Sequence, residues 1–143
     1  MLEPIVLLVD DEAPFVDTMT KRLTKRKLTV FKSYSGEEAL ETLKENSQID
    51  LVILDVKMPG MDGIETLKES RKEFPLVEVI MLTGHATVET SIEGMRLGAF
   101  DYLMKPCDMD VLIEKVNAAV SKKRDHEEKI REARVNVILK ARP

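Results

Sequence analysis

Two unbroken apolar runs constrain the fold of this chain more than any other feature. Residues 5–9 read IVLLV and residues 51–54 read LVIL, with no polar residue between the apolar ones. A run without alternation is typical of a strand buried on both faces, as in a parallel sheet covered by helices. The chain is therefore expected to build a layered α/β core around these two strands.

The segments between these runs alternate between helix and strand signals. Further strands are predicted at residues 28–31, 76–82 and 100–104. Helices are predicted after each strand, with apolar residues at helical spacing in 15–23, 39–43, 64–68, 88–97 and 111–119. Ser35 and Glu38 form a capping-box pattern, Gly98 is a C-cap candidate and Asp108 is an N-cap candidate. Five strand–helix units predict one five-stranded parallel sheet with helices on both faces.

Composition excludes several classes of protein. The 143 residues fit one ordinary domain, and 43% hydrophobic with 34% charged residues is typical of a water-soluble chain. The single cysteine excludes a disulfide framework. No apolar run approaches a membrane span, and the N-terminus lacks a signal-peptide pattern. A cytoplasmic location without membrane contact is expected.

Charge divides the chain into two parts, which we predict to be a globular domain at residues 1–121 and a charged helical extension at residues 122–143. Residues 121–143 hold eight Lys/Arg and four Asp/Glu, which gives them a local charge of +4. Because the net charge of the chain is −4, residues 1–120 carry a charge of −8. Ile130, Arg134 and Val137 fall on one side of this helix. A solvated helix face is the commoner outcome for such mixed charge, and no direct DNA binding is predicted.

Polar side chains follow four of the five predicted strands. Asp10 and Asp11 follow the first, Asp55 the third, Thr83 the fourth and Lys105 the fifth. Ligands of open α/β sheets bind beyond the carboxyl ends of the strands, so these groups are expected to meet at one edge. Each residue alone is more often a turn, cap or surface residue, and the joint placement carries the prediction.

Three carboxylates at one edge predict a magnesium site. Close carboxylates raise one another's pKa values, and a hard divalent cation removes that conflict. Oxygen ligands without His or Cys favour Mg²⁺ over zinc. We expect Asp11 and Asp55 to bind it directly, Asp10 through water, and the backbone carbonyl of Lys57 to be a further ligand.

Asp55 is the predicted nucleophile, because it ends the central apolar strand and a carboxylate can attack phosphorus. Phosphoryl transfer depends mainly on positioning and electrostatic stabilisation. We expect the metal, Lys105 and Thr83 each to contact one oxygen of the transferring group.

The chain resembles the receiver domains of bacterial two-component response regulators. The matching stretches are residues 9–12, 54–63, 82–84 and 98–106, within a similarity that spans residues 5 to about 120. The resemblance implies a flavodoxin-like sheet of order 2-1-3-4-5. It also implies that a sensor histidine kinase or a histidine phosphotransfer protein supplies the phosphoryl group.

The resemblance implies a role for each matched position. Asp55 matches the phosphorylated aspartate, Asp10 and Asp11 the metal-binding pair, and Lys105 the phosphate-contacting lysine, with a cis bond to Pro106. The domain would assist its own phosphotransfer and dephosphorylation without being an enzyme for another substrate.

The resemblance also implies a conformational switch. Thr83 matches the switch hydroxyl and Tyr102 the switch aromatic. Phosphorylation would then change the face made by the fourth helix, fifth strand and fifth helix, and so control an unknown downstream protein. Lys57 and His85 match positions near the path of the hydrolytic water, and their bulk predicts slow self-dephosphorylation.

Several alternatives stay open at this stage. A stand-alone receiver is preferred over a receiver excised from a larger transcription regulator. A phosphorylation-independent scaffold and phosphorylation-dependent homodimerisation are further alternatives. An aspartate-nucleophile phosphatase is disfavoured, because Lys57 stands where that class has its second acid. A flavin-binding domain is disfavoured, because the Asp-Asp-Glu loop at residues 10–12 would repel the phosphate of a flavin.

Overall fold

Five parallel strands form the centre of the protein, whose computed structural model describes residues 3–141. The strands are β1 (Ile5–Val9), β2 (Thr29–Ser33), β3 (Leu51–Leu54), β4 (Glu78–Thr83) and β5 (Asp101–Met104). The helices are α1 (Ala13–Lys25), α2 (Gly36–Glu45), α3 (Gly63–Glu73), α4 (Val88–Arg96) and α5 (Met109–Lys140). The sheet order is β2-β1-β3-β4-β5, which confirms the predicted flavodoxin-like fold.

Helices on both sides explain why the central strands lack a polar face. All four residues of β3 and all six of β4 are buried. Val6, Leu8 and Ile53 pack into one core cluster with α1 and α5. The alternate residues Leu7 and Val52 pack into a second cluster with α2 and α3. The sheet is therefore rigid at its centre, where β1 and β3 run side by side.

Local signals set most helix starts as the sequence predicts. Ser35 accepts a hydrogen bond from the Glu38 backbone, and Asp108 accepts one from the Asp110 backbone. Among the described residues, the reciprocal capping-box bond occurs at α4, between Thr87 and Thr90, and not at Ser35. The β4 strand begins at Glu78 because residues 74–77 form a turn closed by a bond from Val77 N–H to Phe74 C=O.

The last helix, α5, continues well beyond the sheet. Its 32 residues run without interruption through the predicted boundary at residue 121, and at about 1.5 Å per residue it is about 48 Å long. The division into residues 1–121 and 122–143 thus stays a prediction, and residues 142 and 143 lie outside the described residues. No helix within residues 3–141 is both long and apolar enough to cross a membrane.

A buried ion-pair cluster joins α5 to the opposite end of the sheet from the predicted site. Asp50, 2% exposed, accepts hydrogen bonds from Lys123 Nζ at 3.2 Å, Arg124 Nη2 at 2.8 Å and the Ile5 backbone at 3.0 Å. Lys123 is itself buried and also contacts Glu127 at 3.0 Å. This cluster fixes where α5 leaves the domain.

We expect Asp50→Ala to lower the free energy of unfolding by about 3 kcal/mol, because the buried Lys123 ammonium keeps only Glu127 as a partner and the Ile5 N–H loses its acceptor. Urea denaturation measures the change. Asp125→Ala is the matched control: it removes an exposed pair with Lys129 at 3.1 Å and should cost less than about 1 kcal/mol. Equal effects of the two substitutions would contradict the assignment of Asp50 as the anchor.

Candidate functional site

The carboxyl ends of β1 and β3 bring three carboxylates together. Val9 and Leu54 are paired in register, and the Asp55 backbone N–H donates to the Val9 carbonyl at 3.0 Å. Asp10 and Asp11 follow Val9 directly. One carboxylate oxygen from each of the three aspartates lies within 4.8 Å of the others. The residues predicted from sequence to share one edge are thus neighbours in space.

The three carboxylates differ in what surrounds them. Asp11 is exposed, whereas Asp10 and Asp55 are each 1% exposed. Asp10 accepts hydrogen bonds from the Glu12 backbone at 2.9 Å and from Lys105 Nζ at 2.6 Å. Asp55 Oδ1 accepts from the Val56 backbone at 2.8 Å, while its buried Oδ2 has no hydrogen-bond partner among the described residues. A buried oxygen of this kind is costly unless a cation or donor reaches it.

Electrostatics at Asp55 favour the binding of a cation. Burial raises the pKa of the Asp55 carboxyl above its ordinary value, and the charge of Asp10 raises it further. The Thr83 hydroxyl, the Lys105 ammonium and the Val56 N–H lower the pKa without reversing the effect of burial. A hard divalent cation would relieve both the carboxylate repulsion and the unpaired Oδ2. The donor set of oxygens fits Mg²⁺.

Lys105 reaches the acidic cluster from the end of β5. Its ammonium lies 2.6 Å from Asp10 Oδ2, with 15% of the side chain exposed. The Lys105–Pro106 peptide bond is cis, as the resemblance implies. The ammonium also lies 3.8 Å from the ring centroid of Phe15, a residue that sequence reasoning placed only on the apolar side of α1. No sequence signal links positions 15 and 105, because the contact forms only when the Lys105 side chain reaches from the end of β5 to the start of α1.

The two residues predicted to form a switch lie on neighbouring strands. Thr83 ends β4, is fully buried, and accepts a hydrogen bond from the His85 backbone at 3.0 Å. The Tyr102 hydroxyl lies 2.7 Å from Thr90 Oγ1. Thr90 belongs to the capping box at the start of α4, so Tyr102 is tied to that helix. The sequence shows the Thr-x-x-Thr spacing of the cap but not its contact with Tyr102.

Two open clefts are lined by Lys57 and His85, and one of them reaches the acidic cluster at Asp11. Both residues are exposed, and both line each of two clefts of about 450 and 430 Å³. The first cleft is also lined by Asp11, Glu12, Met58 and Pro59, and the second by Val56, Asp62, Ala86, Thr87 and Thr90. Lys57 and His85 therefore lie beside the exposed Asp11 in the first cleft. The predicted metal contact of the Lys57 carbonyl stays a prediction.

Gly63 holds α3 against the Asp55 backbone. A Cβ at this position would lie 1.9 Å from the Asp55 carbonyl oxygen and 2.6 Å from Val56 Cα, so no larger residue fits. The Gly63 N–H donates to the Val56 carbonyl at 2.7 Å. The sequence marks Asp62-Gly63 only as a turn signal, whereas the structure shows that the glycine fixes the loop after Asp55.

Known proteins are similar to this chain in both sequence and fold. A family model described as the response regulator receiver domain matches residues 6–117. A solved receiver-domain structure from Clostridium thermocellum superposes with a TM-score of 0.81 at 35% identity, covering 85% of this chain and 97% of that one. The chain belongs to the response regulator receiver domain family.

Curated relatives are similar to this chain over only part of their length. The transcriptional regulatory protein ZraR of Salmonella typhimurium is 38% identical over 120 residues, which are 84% of this chain and 27% of that protein. The DNA-binding transcriptional regulator NtrC of Escherichia coli is 35% identical over 121 residues, 85% of this chain and 26% of that protein. The chain thus spans about a quarter of the length of these relatives.

Asp55→Asn is expected to stabilise the metal-free protein at pH 7, because the raised pKa of Asp55 means that its charged form disfavours folding. A carboxyl whose pKa is raised on folding costs no stability below its unfolded value near 3.8, and the cost grows as the pH rises. Thermal unfolding in a chelator, from pH 3.5 to pH 7, should show the Tm advantage of the variant shrinking as the pH falls.

Adding Mg²⁺ provides the control for this prediction. The ion should raise the Tm of the wild type and leave the variant nearly unchanged, since binding to the native state stabilises it. A wild type that is more stable than Asp55→Asn at pH 7 in chelator would contradict the electrostatic account.

Proposed function

We propose that this receiver domain is a phosphorylation switch in which Asp55 accepts a phosphoryl group in a Mg²⁺-dependent reaction. The observation that carries the proposal is the buried Oδ2 of Asp55, without a hydrogen-bond partner among the described residues, beside two further carboxylates and the Lys105 ammonium. A carboxylate with a free oxygen at a cation-binding cluster is a competent nucleophile toward phosphorus.

The proposed transfer forms one bond and breaks one bond at phosphorus. Asp55 Oδ2 attacks the phosphorus of a phosphohistidine, and the N–P bond breaks with its electron pair going to the imidazole, which takes up a proton. The reverse half of the cycle is hydrolysis: a water oxygen attacks phosphorus, the P–O bond to Asp55 breaks, and the water proton goes to the phosphate released. Neither step changes an oxidation state.

The residues of the acidic cluster would hold the metal. Asp11, which is exposed, and Asp55 would bind the ion directly, Asp10 would bind it through water, and the Lys57 carbonyl would be a further ligand. When bound, Mg²⁺ supplies positive charge that neutralises the carboxylates and a phosphoryl oxygen. The other oxygens of the phosphoryl group would be positioned by side chains of this protein.

Lys105 and Thr83 complete the proposed site. The Lys105 ammonium is held at the cluster by Asp10 and would bind a second phosphoryl oxygen by a charge-assisted hydrogen bond. The Thr83 hydroxyl already influences Asp55 electrostatically from the end of β4 and would donate to the third oxygen. Three oxygens would then have three separate partners.

The switch would act through the contact between β5 and α4. A phosphoryl group that draws Thr83 towards Asp55 moves the end of β4, which leads into the loop before α4. Tyr102 is bound to Thr90 at the first turn of that helix, so its orientation depends on where α4 begins. Phosphorylation would shift the population between two arrangements of these groups.

The proposed partners follow from the family and from the exposed face. A sensor histidine kinase or a histidine phosphotransfer protein would supply the phosphoryl group, and a downstream protein would bind the face formed by α4, β5 and α5. That face exposes large apolar side chains, which suit a protein contact. They include Val88, Ile92, Met95, Met104 and Val111.

Incubation with acetyl phosphate and Mg²⁺ should add one phosphoryl group to the wild type, and none to Asp55→Asn or in the presence of a chelator. Intact-mass spectrometry measures the adduct. Lys105→Ala should slow its formation by about a hundredfold, the order expected for loss of one electrostatic contact to the transferring group.

Asp17→Asn is the matched control, because it removes an exposed carboxylate of α1 and should be phosphorylated like the wild type. An adduct that survives Asp55→Asn would assign the acceptor elsewhere. If the wild type neither forms an adduct nor binds beryllofluoride, the phosphorylation-independent scaffold becomes the better function.

Replacing both Lys57 and His85 by Ala should shorten the half-life of the phosphoryl group by about tenfold, a change of about 1.4 kcal/mol in the barrier. The two side chains line both clefts beside the site, so in the proposed mechanism they would obstruct the path of water to Asp55. Loss of the adduct with time, after removal of acetyl phosphate, gives the rate. Lys68→Ala, an exposed lysine of α3, is the control, and a double variant that decays like it would disprove the shielding role.

Control of transcription is the second candidate output. It is favoured by the similarity to ZraR and NtrC, both named as transcription regulators. An immunoblot of the source cells distinguishes control of a separate protein from control of transcription. A polypeptide near 16 kDa supports a stand-alone receiver that acts on a separate protein. A polypeptide several times larger supports a receiver within a transcription regulator.

A further inference from the structure

The ring of Phe15 forms a platform for the Lys105 ammonium. The ring centroid lies 3.8 Å from Nζ, well within the distance at which an aromatic face attracts a cation. Phe15 lies in the first turn of α1, directly after the acidic loop, and is partly buried against the core cluster that contains Val16 and Leu112. The packing therefore holds the ring in place before any ligand arrives.

Among the described residues, the Lys105 ammonium has one hydrogen bond besides its contact with the ring. Its stem passes Gly84, where an added Cβ would lie 3.9 Å from Lys105 Cδ. Its ammonium bonds to Asp10 Oδ2 at 2.6 Å, and Asp10 is one of the carboxylates that a cation would engage. If a cation engages Asp10 and Lys105 binds a phosphoryl oxygen, the bond to Asp10 would weaken, whereas the contact with the ring could persist.

We propose that Phe15 is a positioning residue for phosphoryl transfer, holding the Lys105 ammonium over its ring while it moves from Asp10 to the phosphoryl oxygen. The inference rests on the proposed function of Asp55. A cation attracted by a ring face keeps its position with little angular preference, whereas the hydrogen bond to Asp10 fixes one direction. Because the ring already restricts the ammonium in the resting protein, Lys105 loses less conformational freedom when it binds the phosphoryl group.

A purely structural role for Phe15 predicts different behaviour. Phe15→Leu removes packing as well as ring electrostatics, so a slower reaction of that variant could arise from a loosened α1. Fluorine atoms on the ring weaken the negative face in steps while the ring keeps nearly the same shape. A positioning role therefore predicts a graded response to fluorination, and a packing role predicts none.

The experiment incorporates phenylalanine with one, two or three fluorine atoms at position 15 of the full chain and measures the rate of phosphoryl uptake from acetyl phosphate at saturating Mg²⁺. We expect the rate to fall stepwise, by about three- to tenfold in total. Phe15→Tyr should retain the rate within about twofold. The same series at Phe31, a partly buried ring in the other core cluster, is the matched control and should leave the rate unchanged.

Proton NMR of the unphosphorylated chain adds a readout that does not require turnover. The Lys105 Hε resonances should lie upfield in the wild type, because the protons adjacent to Nζ lie near the ring face, and should return to ordinary values in Phe15→Leu. Wild-type uptake with a flat fluorine series would overturn the inference and leave the proposed function intact. A wild type that takes up no phosphoryl group and binds no beryllofluoride would overturn both.

Discussion

The crowding of Asp10, Asp11 and Asp55 at one edge of the sheet is the constraint on which the rest of the site depends. Three carboxylates that share a small volume, two of them buried, destabilise one another and leave Asp55 Oδ2 without a hydrogen-bond partner among the described residues. The Lys105 ammonium offsets part of this repulsion through Asp10. The remaining imbalance is what a hard cation would relieve, and the same cation would offset the negative charge that a phosphoryl group adds.

A rigid core keeps this unfavourable arrangement in place. The neighbouring strands β1 and β3 are buried on both faces, so the carboxylates at their ends cannot separate without disrupting the sheet. Gly63 presses the start of α3 against the Asp55 backbone. At the other end of the sheet, the Asp50 cluster fixes α5. Folding energy from the apolar core thus supports a site that costs stability by itself, as is common at functional sites.

The contacts around the acidic cluster differ in how easily they change. Lys105 combines one directional bond to Asp10 with a non-directional contact to Phe15, and Tyr102 is joined by a single hydrogen bond to Thr90 on α4. Each involves one or two side-chain contacts, whereas β3 and β4 are buried along their whole length. A change of charge at Asp55 would therefore be transmitted through these side chains and the start of α4, while the sheet stays as it is.

The sequence by itself determined the five strand–helix units, the helix layers and the shared edge of Asp10, Asp55 and Lys105, because apolar runs, caps and polar residues after strands are local signals that a parallel sheet converts into neighbours. The strand order was implied by the resemblance to receiver domains and not by these local signals. Strand ends such as the start of β4 at Glu78 and the missing reciprocal bond at Ser35 depended on local turn geometry that the pattern does not specify. Only the tertiary structure decided the contacts of Lys105 with Phe15, of Tyr102 with Thr90 and of Asp50 with α5. Each of these joins residues far apart in the chain, or depends on the angle at which a helix packs on the sheet, and neither separation nor angle is encoded in a local pattern.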